Sequence, residues 1–246
     1  MKILISNDDG VFAPGIAALV RAFANEGHEI IVCAPDGQRS AASHSMTLFQ
    51  PLEVKEVELK GAAKAYAISG TPVDCVKLCV NKLHPEVEFV ISGINKGYNC
   101  GSDILYSGTV GAAKEGAIFG YPAMAVSLAP QREDLYDQAA KLAVRMFELV
   151  RAHPLPPRAL LNVNHPAVDS PLGVRAVPMK PTHYIESYTR REEDGKVFYV
   201  LGGNLDMSME KGEDDWSLLE NGYATTTVIG FDMTDRKATE AFGALL

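Results

Sequence analysis

The stretch MKILISNDDGVFAPGIAALVRAFANEGHEIIVCAP, residues 1–35, decides the fold. Residues 1–6 are mostly apolar and read as a short strand buried on both faces. Asn7-Asp8-Asp9-Gly10 is turn chemistry. Ile16, Leu19, Val20 and Phe23 then recur at helical spacing. Glu26-Gly27 ends that helix, with Gly27 at a C′ position. HEIIVCA, residues 28–34, is a second apolar strand, closed by Pro35-Asp36-Gly37. Strand, helix and strand in this order make a βαβ unit, which requires a parallel pair joined by a right-handed crossover.

Outward from this unit the alternation continues. Residues 48–59 alternate and read as extended, and residues 66–69 as a short strand. Residues 71–83 read as a helix carrying Val73, Val76, Leu78 and Val80. Strands are expected at 87–92 (VEFVIS), 123–128 and 159–163, and helices at 109–119 and 134–151. The class is therefore α/β, an open parallel sheet with helices on both faces. Near Pro171 the chain becomes more polar, and residues 174–228 read as extended segments. Residues 184–189 and 196–201 are expected to pair as a hairpin across Glu192-Glu193-Asp194-Gly195, and residues 234–246 to form a short helix. The expected division is a catalytic core over 1–170 and a C-terminal extended arm over 171–246 that takes part in oligomerisation.

Composition narrows the function. With 47% apolar residues, 246 residues build a sizeable core. A net charge of -8 argues against a partner that is a nucleic-acid polymer, while leaving room for a local anion site. Cys33, Cys75, Cys79 and Cys100 form no CxxC pair and read as core fillers. The N-terminus lacks the pattern of a signal peptide and no apolar run reaches membrane-spanning length, so a cytoplasmic protein with no membrane partner is expected. There is no GxGxxG, Walker loop, GxSxG or HExxH, which removes nucleotide-cofactor, P-loop, serine-hydrolase and zincin readings.

In open α/β sheets ligands bind beyond the carboxyl ends of the strands. The polar residues that follow each expected strand are therefore the candidates. Asp8 and Asp9 are adjacent acids that repel unless a cation or proton lies between them. Oxygen ligands of this kind suit Mg²⁺, Mn²⁺ or Ca²⁺, although Asp-Asp-Gly is also ordinary turn chemistry. Asn95 can add a carbonyl oxygen or instead close an Asx turn, and Ser40 can add a hydroxyl or belong to a plain loop. Ser107-Gly108-Thr109 opens a helix, where free N–H groups and the dipole favour an anion; the same residues also make an ordinary N-cap. Gly70-Thr71-Pro72 offers a second such start. His44 follows the second strand, where a lone histidine is more often structural than catalytic, and Trp216 reads as packing within the arm.

The strings ILISNDDG, APDGQRSAASHSMT, SGTPVDCVKL, VISGINKGYNCGSDILYSGTVGAAKEGA and LLNVNHP resemble the SurE family of survival-protein nucleotidases. The resemblance runs in order through about the first two thirds of the chain. It implies a Rossmann-type domain whose C-terminal extension exchanges between subunits, in homodimers or homotetramers. It implies a phosphomonoesterase acting on nucleoside 5′- and 3′-monophosphates, in some members also on short polyphosphate, with one divalent cation (Mg²⁺ or Mn²⁺) per subunit. By motif, the metal ligands fall on Asp8, Asp9, Ser40 and Asn95; Asp8 and Asp9 are also the catalytic candidates, either one able to take or relay a proton. The phosphate contacts fall on Asn99, Ser107, Gly108 and Thr109. Two other classes share the pattern: a phosphoacceptor receiver module, which needs a further acceptor Asp at the end of a central strand, and a non-catalytic nucleotide-binding protein.

Overall fold

The first strand, β1 (Lys2–Ser6), sits in the middle of a nine-stranded sheet. The computed structural model describes residues 1–206, 208 and 210–246. After β1 come α1 (Pro14–Asn25), β2 (Glu29–Pro35), β3 (Val54–Glu56), β4 (Lys64–Ile68) and α2 (Pro72–Leu78). Then follow β5 (Phe89–Lys96), α3 (Gly108–Ile118), β6 (Ala123–Leu128), α4 (Tyr136–Ala152) and β7 (Leu160–His165). The remainder is β8 (Val174–Ala176), β9 (Tyr184–Glu193), β10 (Lys196–Leu205), α5 (Asp215–Glu220), β11 (Ala224–Ile229) and α6 (Arg236–Gly243). The sheet order is β3-β4-β2-β1-β5-β6-β7-β11-β8. From β4 to β7 every pairing is parallel. β3 and β11 join antiparallel, to β4 and β7.

Alternation along β1 sorts the core into two layers. Ile3 and Ile5 face α1 and α4, where Phe23 and Phe89 meet Phe147 edge-on at 5.2 and 4.8 Å. Leu4 faces the other side, with Cys75 and Val76 of α2 and Val110 and Ala112 of α3. The chain leaves β1 toward β2 on one side and returns beside it as β5 on the other, so the order reverses between β1 and β5. That reversal opens a crevice at the carboxyl ends of these two strands.

Several elements differ from the sequence reading. Of residues 48–59 only Val54–Glu56 form a strand, with Glu53 and Val57 each adding one main-chain hydrogen bond beside it. The helix expected to Leu83 is α-helical only to Leu78. It continues as one π turn over Cys79–Leu83, closed by His84 N–H on the Cys79 carbonyl. The main sheet also runs past residue 170, since β8 and β11 extend it beyond β7. The hairpin of β9 and β10 is longer than expected and exposed along nearly its whole length. Among the described residues no helix is long and apolar enough to cross a membrane.

Candidate active site

The turn after β1 is fixed by its own side chain: Asn7 Nδ2 donates to the Gly10 carbonyl at 2.9 Å, and Gly10 N–H donates to Asn7 Oδ1 at 3.1 Å. Asn7 is fully buried. This closed loop leaves the carboxylates of Asp8 and Asp9 to other partners.

Asp8 points at the start of α3. The Thr109 hydroxyl donates to Asp8 Oδ1 at 2.5 Å. The approach is possible because residue 108 is glycine: a Cβ there would stand 2.9 Å from Asp8 Cβ and 3.1 Å from its Oδ2. On the other side Arg39 N–H donates to the Asp8 carbonyl at 2.7 Å, which brings Ser40 into the same corner. Ser40 is exposed, with its hydroxyl accepting from Gln38 at 3.0 Å. Asp9 reaches the end of β5, accepting from Lys96 N–H at 3.4 Å. The adjacent Asn95 donates its amide to the Gly97 carbonyl at 2.9 Å, and Asn95 Oδ1 has no partner among the described residues. The turns after β1 and β2, the end of β5 and the start of α3 therefore meet in the crevice.

Electrostatics mark the pair. Burial pushes the Asp8 carboxyl up to about 6; the Thr109 hydroxyl opposes this and the charge of Asp9 adds to it. Burial also raises Asp9, opposed by Lys96. The neighbouring cations are engaged elsewhere: Arg39 pairs with Asp36 at 3.0 Å, and Lys96 with Glu133. A buried and a half-buried carboxylate without a paired cation, beside a free amide oxygen and a hydroxyl, form a hard-oxygen donor set that fits a divalent ion such as Mg²⁺ or Mn²⁺. Among the described residues no cluster of three or more His, Cys, Asp or Glu offers a rival metal site.

Beside this set lies the start of α3. Ser107 caps it, its Oγ accepting from Val110 N–H at 3.1 Å and its hydroxyl hydrogen left over. The Thr109 hydroxyl is committed to Asp8, so toward an anion Thr109 offers its main-chain N–H. Asn99 is buried, with its amide on Ser127 Oγ at 2.9 Å. Its main chain is gripped by β7: Asn99 N–H donates to Asn164 Oδ1 at 2.9 Å, and its carbonyl accepts from Asn162 at 2.7 Å and Asn164 at 2.9 Å. Asn162, Asn164 and Ser127 had no role in the sequence reading. The period-two spacing of the asparagines in LNVNH was the available signal.

Other candidates have structural roles. Thr71 and Asp74 close a capping box in which the Asp74 N–H donates to the Thr71 hydroxyl and the Thr71 N–H to the Asp74 carboxylate, and Asp74 also holds Thr47. His44 donates or accepts at 2.8 Å with Glu115 of α3, which Lys77 also reaches at 2.8 Å; this fastens the loop after β2. Trp216 lies edge-on to Tyr98 at 6.1 Å, so it packs from the arm onto the core rather than within the arm. β5 ends in Gly93-Ile94-Asn95-Lys96, so it carries no acid of the kind a receiver module needs.

Known proteins share this sequence and fold. The family model described as Survival protein SurE matches residues 3–186. A protein named 5′-nucleotidase SurE from Aeromonas hydrophila is 42% identical over 252 aligned positions, covering 100% of this chain and 98% of its own. One of the same name from Synechococcus elongatus is 40% identical, covering 95% of each chain. The crystal structure of the SurE protein from Aquifex aeolicus matches with a TM-score of 0.86 at 32% identity, over 100% of this chain and 99% of that one.

Proposed function

This chain belongs to the SurE family, and from that premise we propose that it is a 5′-nucleotidase, a phosphomonoesterase that hydrolyses nucleoside monophosphates with one divalent cation, Mg²⁺ or Mn²⁺, per subunit. The observation that carries the reading is the contact between Asp8 and the start of α3, which sets a cation site against an anion site.

Asp8, Asp9 and Asn95, with Ser40 at the rim, would hold the cation. When bound, the cation supplies Lewis acidity toward a phosphoryl oxygen and toward water. The N–H groups of Gly108 and Thr109, the Ser107 hydroxyl and the α3 dipole bind the phosphate and are fixed in place before charge develops. Thr109 holds Asp8 Oδ1 and so orients the carboxylate. Asp9 is the less buried acid and the one suited to take a proton from water. Asn99 donates its second amide hydrogen toward the substrate from a main chain locked by β7.

The same reading extends to 3′-monophosphates and to assembly. Ile185, Tyr188, Tyr199 and Leu201 of the hairpin are each more than half exposed, an apolar surface that fits a second subunit in a homodimer or homotetramer. The buried free thiols of Cys33, Cys75, Cys79 and Cys100 support a reducing, cytoplasmic setting. Phosphate release from a panel of nucleoside monophosphates, with Mg²⁺, with Mn²⁺ and with EDTA, tests the activity. Saturable nucleotide binding without release under every condition would leave a binding protein instead.

A further inference from the structure

Asn99 and Ser107 stand at the two ends of the proposed phosphate grip, and the segment between them sets their spacing. Asn99 is tied by Asn162 and Asn164 of β7, and Ser107 by its place at the start of α3. Between them Gly101, Ser102 and Asp103 are each held by chain from far downstream. Gly101 N–H donates to Asp215 Oδ2 at 2.7 Å. Ser102 N–H donates to Thr182 Oγ1 at 2.8 Å, and its hydroxyl donates to the Thr182 carbonyl at 3.0 Å. The Tyr184 hydroxyl donates to Asp103 Oδ2 at 2.7 Å.

Asp215 is the centre of this latch. It is fully buried, and its Oδ1 accepts from Lys180 N–H at 2.9 Å and Trp216 N–H at 2.8 Å. Three main-chain donors thus converge on one carboxylate. The Lys180 ammonium serves other groups: it pairs with Asp214 at 3.5 Å and donates to the Glu210 carbonyl at 2.6 Å and to Ser217 at 3.1 Å. Burying a carboxylate without a cation carries a large desolvation penalty. A hydroxyl or a water would satisfy Gly101 N–H with far less, so the gain here is a fixed position rather than stability. Gly101 itself leaves no slack: at φ +54° a Cβ would stand 2.5 Å from Thr182 Cγ2 and 2.6 Å from the Lys180 carbonyl.

We propose that Asp215 is a positioning residue for phosphate binding: through Gly101 N–H, with Thr182 and Tyr184 alongside, it fixes the segment that spaces Asn99 from the start of α3. This rests on the reading of Asn99 and Ser107 as phosphate contacts.

The test is Asp215→Asn in the full-length protein. An amide with its oxygen toward Lys180 and Trp216 keeps those two bonds and turns an NH₂ toward Gly101 N–H, so the loop bond alone is lost. The readout is the dissociation constant of inorganic phosphate, by calorimetry in saturating Mn²⁺, which needs no turnover. It is expected to rise about tenfold or more, as loss of a charged, buried hydrogen bond implies. Tyr184→Phe, which removes one hydroxyl at the edge of the latch, is expected to raise it about threefold. KM for a nucleoside monophosphate follows, while the Mn²⁺ concentration for half-maximal activation stays put, because Asp8, Asp9 and Asn95 lie on other loops. A folded Asp215→Asn protein with lower thermal stability and unchanged phosphate affinity overturns the proposal. Where that variant does not fold, unchanged affinity in Tyr184→Phe overturns it equally. A wild-type protein that binds no phosphate removes the grip and this inference together, whereas wild-type turnover with unmoved variants removes the inference alone.

Discussion

Asp8 pits stability against function, and Asp8→Asn exposes the conflict. The residue is 6% exposed, and its carboxyl is raised from 3.8 to about 6, chiefly by burial. Well below pH 3.8 the group is protonated in both the folded and the unfolded chain. As pH rises the unfolded chain ionises first, so unfolding releases a proton and stability falls until the folded group ionises near pH 6. From 3.8 to about 6, at 1.36 kcal/mol for each tenfold step, the full penalty above pH 6 is about 3 kcal/mol. At pH 5 it is about half of that. Asparagine keeps the acceptor for the Thr109 hydroxyl and carries no charge. In EDTA at pH 7.5 the variant is therefore expected to unfold at a temperature roughly 5–10 °C above wild type, with a smaller gap at pH 5. Millimolar Mg²⁺ or Mn²⁺ should stabilise wild type by about 2–3 kcal/mol near a hundredfold excess over Kd and leave the variant unmoved. Scanning calorimetry of both proteins at two pH values, with and without cation, measures each of these. An Asp8→Asn protein no more stable than wild type in EDTA at pH 7.5 refutes the burial of an uncompensated charge.

Four further outcomes are expected. Asn95→Ala removes the unpartnered amide oxygen and should raise the half-activating cation concentration by about tenfold in a nucleotidase titration, with the melting temperature in EDTA nearly unchanged. Gly108→Ala drives a Cβ to 2.9 Å from Asp8 and should cost about 1–3 kcal/mol by urea unfolding; phosphate release should fall by at least the same proportion. Asn164→Ala frees the main chain of Asn99 and should raise KM more than it lowers kcat, in steady-state assays across nucleotide concentrations. Phe147→Ala, far from the crevice, should cost about 3–5 kcal/mol of stability while leaving KM intact, because its edge-on partners Phe23 and Phe89 belong to the opposite end of the sheet from the site.

The parallel core was legible because β1, β2, β5 and β7 are short, largely apolar runs that no other element could bury, and because Asn7–Gly10 follows β1 directly. Legibility declined where partners are distant in the chain. β11 (ATTTVI) carries three threonines that suit a strand, yet nothing local announces that it runs antiparallel to β7 or that β8 joins beyond it. The π turn at Cys79 leaves no mark in a sequence whose apolar positions fit a longer α-helix. Within the site, Asp8, Asp9, Asn95 and Ser107 could be chosen by their place after strands. That the Thr109 hydroxyl serves Asp8 could not, because it depends on an approach between residues 101 positions apart. Asp215 shows the same limit: it bonds to Gly101, 114 residues away.

The central claim is that oxygen donors from separate strand-end loops hold one divalent cation against the start of α3. A crystal grown with Mn²⁺ and inorganic phosphate, with data collected for the manganese anomalous signal, tests it most directly. The account predicts one anomalous peak bounded by Asp8, Asp9 and Asn95 near Ser40, with phosphate bridging it to the N–H groups of Gly108 and Thr109. A peak elsewhere, or phosphate bound away from Ser107, would contradict it.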